Sequence, residues 1–351
     1  MELGNQVGTH GLLAGAVALV AAALATTPSA WGGVVGGVPE NRRGSQLRAE
    51  GGALLDVSGT VNETFRAYYA ATGRDQDQAK RESYDLDDFG IDRPYASFGL
   101  QYGHQGEVFG VRLELLYMGI SADATAKRDY YVGLMDDVKY RGVNYEHMKI
   151  PKGCDFSTDF TGGMGDVMLT FSPFTLEGDA VQFTPGVELG LVGIAGNYEL
   201  DAGPATGTAV YQNPPVHFVV GGKSSSTVGI AAPMIGANAT LTLGRLEGTR
   251  WETRGNFDVF AYDGSSKPFS SAREKDLDIT FMSAGLESSL LFPLSDGTEL
   301  EIGAAVRMMN LDGSIKAKEK KKEKIIQAHE RFDKDIDFDL MTGLLFIGFR
   351  F

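Results

Sequence analysis

The sequence predicts an all-β chain: an antiparallel up-and-down β-barrel of about 10 strands (about 8 to 12 fit the pattern), built to cross a membrane and preceded by a signal peptide. Three observations carry this prediction. Segments of about 9–11 residues alternate apolar and polar with period two, the length a tilted membrane strand needs. The connections between them alternate short and long without exception. No stretch beyond the first 30 residues is apolar enough for a transmembrane helix, so a chain of this kind crosses a membrane only as a closed barrel.

The elements follow in chain order. Leu12 to Ala25 is apolar but about 14 residues long, short of the about 20 that span a bilayer as a helix, and it reads as the core of a signal peptide over 1–30. Small residues place cleavage after Ala25 or Ala30, although Met1 to Gly11 lacks the Lys or Arg of a usual leader. Residues 31–46 are expected to be a short periplasmic segment and 47–351 the barrel. Strands are predicted at 47–61, 95–104, 108–121, 158–172, 181–197, 226–244, 250–262, 276–292, 298–311 and 337–351. In the third, Phe109, Val111, Leu113, Leu115 and Tyr117 share one face while Arg112 and Glu114 share the other. The loops at 105–107, 173–180, 245–249 and 293–297 are short, and those at 62–94, 122–157, 198–225, 263–275 and 312–336 are long. One-sided topology predicts this, with tight turns and both termini in the periplasm, long loops outside, and an even strand count.

Composition narrows the function classes. A formal charge of −14 argues against a nucleic-acid partner, because phosphate binding requires a basic face. The 46 glycines suit bends and close strand approach, since neither a Gly-X-Y period nor Gly/Ser tracts appear. The single cysteine, Cys154, reads as a free thiol in a loop, because no Cys or His stands near it at metal-ligand spacing.

With the strands placed, the chain resembles the bacterial outer-membrane β-barrel proteins, a class and no particular member. Its last residues resemble the signal read by that class's insertion machinery: Met341, Leu345, Ile347, Phe349 and Phe351 share one face, which Gly343 interrupts. The resemblance implies outer-membrane lipid and lipopolysaccharide as surroundings and a monomer as the working form. Tyr102, Phe109, Phe171, Phe183, Trp251, Phe292 and Phe349 are the expected aromatic girdle near the short turns, whereas Tyr198 and Tyr262 fall on the inward face.

The inward faces carry Arg112, Arg254, Arg307 and Arg350 against Glu114, Asp166, Glu188, Asp258, Glu287, Glu299 and Glu301. Two readings follow. Either arginine–carboxylate pairs pack the lumen, or they line a narrow passage for small ions or solutes, with Arg112 beside Glu114 and Arg307 beside Glu299 and Glu301. A third role, adhesion or envelope integrity, would act through the outer loops, and a fourth is a hydrolase assembled from loop residues.

No residues are assigned to catalysis, to a metal or to a cofactor. Asp85, Asp87 and Asp88, and Asp276 with Asp278, form acidic loop groups without a glycine-centred calcium loop. The Asp-x-His pair of omptin-type proteases, the His-x-Ser of lipid A deacylases and the barrel phospholipases' Ser two residues after His are absent from the surroundings of His104, His147, His217 and His329. The loop from Lys316 to Lys324 reads as a solvated basic stretch or a contact for lipopolysaccharide phosphates, and the one from Asp201 to Gly222 as partly apolar.

Overall fold

In the computed structural model the described residues are 33–67, 80–92, 94–140, 143–203, 218–246, 248–266, 275–294, 297–317 and 330–351. The predicted signal peptide lies outside them, as do most of the basic loop after Lys316 and of the loop before Gly222, and the side chains of His147, His217, Asp276 and His329. Ten strands form one closed antiparallel barrel: β1 Gly44–Ala67, β2 Tyr95–Gln105, β3 Phe109–Thr125, β4 Asp155–Phe171, β5 Val181–Asp201, β6 Lys223–Leu246, β7 Thr249–Ser266, β8 Lys275–Pro293, β9 Glu299–Ala317 and β10 Glu330–Arg350. Each pairs with its chain neighbours, and β10 closes the ring on β1. The last rung is made by the terminal residue: Ser45 N donates to Phe351 O at 2.7 Å, and Phe351 N to Ser45 O at 2.8 Å.

All ten predicted segments are strands, and the short turns stay short. Gly106 N donates to Phe109 O across the β2–β3 turn at 2.8 Å, and Gly297 takes a positive φ of 78° in the β8–β9 turn. The strands run further toward the long-loop end than predicted, β1 and β6 reaching 24 residues each. The reason is visible in their polarity, which inverts partway up the wall.

On β3 the outward face is Phe109, Leu113, Leu115 and Tyr117, all 42–69% exposed, but above Tyr117 it continues as Gly119, Ser121 and Asp123. The inward face does the opposite. Arg112 and Glu114 give way to Leu116, Met118 and Ile120, none more than 8% exposed. On β10, Leu345, Ile347 and Phe349 point outward below Met341, and Asp335, Asp337 and Asp339 above it. The register places the change at one level, since Met341 pairs with Met308 and Asp339 with Asn310 on β9.

Water and lipid impose opposite patterns on the same wall. An outward Leu345, 71% exposed, is stable only against hydrocarbon, whereas an outward Asp339 beside an inward, buried Leu340 is the pattern of a soluble barrel. A belt of about nine residues at about 3.3 Å rise and about 40° tilt is about 23 Å tall, which matches the about 25 Å apolar band of a membrane barrel. Gly343, which interrupts the terminal apolar face, leaves no gap. The Leu55 side chain, displaced outward at a bulge in the β1–β10 register, lies where a Cβ on Gly343 would be, 2.7 Å away.

Candidate functional site: a filled lumen

The lumen holds two layers. The layer toward the short turns is ionic. Arg48 donates to Glu301 through Nε at 3.0 Å and Nη2 at 2.8 Å, and to Glu287 through Nη1 at 2.8 Å, with its guanidinium 4.4 Å from the Phe346 ring. Arg307 reaches Glu50 with both terminal nitrogens at 3.1 Å, Glu287 at 3.3 Å, and Glu114. Arg350 grips both oxygens of Glu252 at 2.9 and 3.0 Å. Arg254 pairs with Glu188, which also accepts from Asn238 at 2.6 Å, and Arg112 pairs with Asp166 at 3.3 Å. Asp258 accepts from Asn256 at 2.8 Å.

The eleven candidate lumen residues point inward, and those close together in sequence do not pair with one another. Arg307 does not meet Glu299 or Glu301, which belong to Arg250 and Arg48. Residues two apart on one face are separated by about 6.6 Å along the strand, so Glu301 and Glu299 lie about 20 Å or more along β9 from Arg307. Partners come instead from other strands at a similar height. Likewise Arg112 finds Asp166 on β4, and Glu114 goes to Arg307.

Sequence reasoning missed Arg48, Glu50, Arg250 and Glu252, although their alternation was available. In Leu47-Arg48-Ala49-Glu50-Gly51 the outward partners after Leu47 are the small Ala49 and Gly51, so the apolar face is weak and the inward charges do not stand out. It also missed Arg42 and Val38. The segment before β1 is more than a lead-in to the barrel: Val38 is 1% exposed and lines the lumen floor together with Arg42.

The second layer is apolar and caps the first. Leu54, Leu116, Met118, Met164, Met234, Phe281 and Leu340 fill the barrel from its walls, and loop residues enter from above. Residues Leu86–Phe89 form a 3-10 turn that drops Phe89 onto Tyr84 and Phe156, edge-on at 5.8 and 5.6 Å. Tyr130–Tyr140, Val143–Ile150 and Phe218–Val220 form a separate small sheet whose Tyr130, Met148 and Ile150 are buried in this apolar layer. Tyr198 packs against this layer, while Tyr262, on the inward face by register, is 38% exposed. Among the described residues, the ionic layer holds a void of about 90 Å³ at the floor and one of about 30 Å³ beside Asp166 and Arg307.

Gly90 ends the Leu86–Phe89 turn at φ +75°, and a Cβ there would come within 2.6 Å of Asp123 O. Gly90→Val is therefore expected to lift Phe89 out of the cap and cost about 1–3 kcal/mol, read as faster amide exchange at residues 84–91 with the membrane belt unchanged.

The polar loop groups do not assemble into a metal centre among the described residues. Asp88 accepts from Lys127 Nζ at 3.3 Å, and this hydrogen bond raises the ammonium above its ordinary pKa. His104 shares a 3.0 Å hydrogen bond with Ser45 at the short-turn end, and the half-buried Cys154 thiol sits 3.5 Å from Ala202 O.

No family model matches the chain, and no curated protein matches it in sequence. Among solved structures it is similar to the outer membrane protease OmpT from Escherichia coli, at 8% identity and a TM-score of 0.37 over 90% of this chain and 99% of that one. It is also similar to the β domain of the Bordetella autotransporter BrkA, at 12% identity and 0.28 over 86% and 98%, and to the Pseudomonas putida toluene transporter TodX, at 8% and 0.24 over 90% and 91%. These likenesses assign no activity. The closed ring, the exposed apolar belt and the inverted polarity above it make the fold a transmembrane β-barrel of the outer-membrane type.

Proposed function

We propose that the chain is a bacterial outer-membrane barrel with a closed lumen, which acts through the part of its wall and loops that stands outside the membrane. The observation that supports this reading most is the double filling of the lumen, ion-paired below and apolar above. A porin-like route for ions or solutes would have to break the Arg48 and Arg307 networks and then pass Phe89 and its neighbours. A void of about 90 Å³ holds a few waters and does not make a path.

In this reading the short turns, the start of β1 and the end of β10 lie in the periplasm, and the inverted-polarity rim rises from the outer leaflet among lipopolysaccharide headgroups. Phe351 presents the terminal apolar face to the insertion machinery, the barrel works as a monomer, and no catalytic step is part of its role. The exposed rim and loops would serve adhesion or envelope integrity. Purified protein in planar bilayers is expected to give no conductance steps at moderate voltage. Steady, ion-selective steps from the unaltered chain would replace this reading with the channel.

A further inference from the structure

The floor of the lumen is built by a strap that the barrel does not need for closure. Gly33–Gly36 adds to Phe174–Glu177 as an antiparallel strand, Gly37 N donates to Pro173 O at 2.8 Å, and Val38 N donates to Glu107 O at 2.5 Å. The strap thus docks on two short turns at once. Gly37 has φ +71°, and a Cβ there would meet Glu107 O at 2.4 Å, so only glycine fits that junction. The next turn carries Arg42 up into the lumen. Its side chain is 8% exposed, and Nη1 donates to Thr184 Oγ1 at 2.5 Å.

The charges around Arg42 do not balance. Five arginines and two glutamates line the cavity of about 90 Å³ above the strap. Four of the five have their own carboxylates: Arg48 has Glu301 and Glu287, Arg112 has Asp166, Arg254 has Glu188, and Arg350 has Glu252. Arg42 arrives fifth. Its nearest carboxylate, Glu252, lies 3.8 Å away and is already gripped through both oxygens by Arg350. The buried Nε atoms of Arg42 and Arg254 make no hydrogen bond in the protein. A buried guanidinium without a full partner is costly, and so is an unused buried donor.

We propose that this cavity binds one small free oxyanion of the phosphate or sulfate class, which meets the incompletely paired charge of Arg42 and accepts from its Nε. The volume suits it. A single water needs about 10–15 Å³ on the same scale, so the space takes several waters or one ion of about five heavy atoms. Binding at Arg42 also ties the ligand to the strap, so the anion should hold the strap against the short turns. The inference stands apart from the closed-lumen reading, because a channel with the same floor would keep the site.

The test is calorimetric titration of the full chain in detergent with inorganic phosphate and with sulfate, chloride serving as the comparison, together with hydrogen exchange over residues 33–43. One site per chain is expected, with slower exchange in the strap when phosphate is present. Arg42→Gln should weaken phosphate binding about tenfold or more, and Lys127→Gln, at the far end of the barrel, should leave it unchanged. Where Arg42→Gln also frees the strap, crystals of the unaltered protein soaked in arsenate decide the location, since the anomalous peak should fall beside Arg42 Nε. No heat of binding, equal affinity in Arg42→Gln with the strap still docked, or arsenate outside the cavity would each mean that the space holds water only, and would overturn the proposal.

Discussion

Replacing Arg307 by leucine is expected to destabilise the folded barrel by about 3–5 kcal/mol, because it leaves three buried carboxylates without their shared cation. Glu50, Glu114 and Glu287 all converge on this guanidinium, and the side chains of the three acids are no more than 8% exposed. The cost does not measure what the ion pairs add to stability. Desolvating so many charges offsets most of the attraction between them, and a well-packed apolar lumen would do as well. What the network does is make each member indispensable to the others. Glu287 keeps Arg48 after the change, but Glu50 and Glu114 lose their ion pairs with Arg307. Urea unfolding in lipid vesicles, followed by the heat-dependent shift in gel mobility typical of barrels, reads the effect. Adding Glu50→Gln and Glu114→Gln to Arg307→Leu should recover part of the loss, since neutral amides tolerate burial better than unpaired carboxylates. A single variant as stable as the parent would mean that water reaches this layer freely.

The second large effect is expected on the outer wall. Leu345→Arg puts a charge in the middle of the apolar belt and should cost about 2–4 kcal/mol, whereas Asp339→Arg, six residues up the same face, should cost no more than about 1 kcal/mol. The two positions share a strand and a face, so the contrast isolates the solvent each one meets. In a soluble barrel both would face water and neither charge would matter. Equal costs at the two sites would therefore remove the membrane boundary from between them. The Asp339 change also breaks its hydrogen bond with Asn310 Nδ2, 2.9 Å, but that bond is exposed and its loss is small.

Much of this was legible in the sequence, and the illegible part has one cause. Period-two alternation located all ten strands and an inward charged face on seven of them, because a β-strand's geometry forces alternation wherever the two faces meet different surroundings. Alternation compares neighbours, however, and is blind to height. Phe109 to Ile120 on β3 keeps its period while the meaning of each face reverses at about Tyr117, so the inward apolar layer of Leu116, Met118 and Ile120 went unread. The pairing partners were illegible for a related reason. Arg307 and Glu301 are close in sequence and on one face, yet the lumen pairs groups at similar height from different strands, which depends on strand stagger. The strap was missed because Val38 and Arg42 carry no periodic signal and act through two turns distant in sequence.

Scanning single spin labels along β10 from Asp335 to Phe351, with oxygen and a water-soluble nickel chelate as relaxing agents, tests the barrel, its membrane boundary and its closed lumen together. Odd positions from Leu345 to Phe349 are predicted to respond to oxygen and those from Asp335 to Asp339 to nickel, with the change near Met341; even positions from Leu340 to Phe346 should be shielded from both. Nickel access at Thr342, Leu344 or Phe346 would mean an open, water-filled lumen, and nickel access along every odd position would mean a barrel that stands in water.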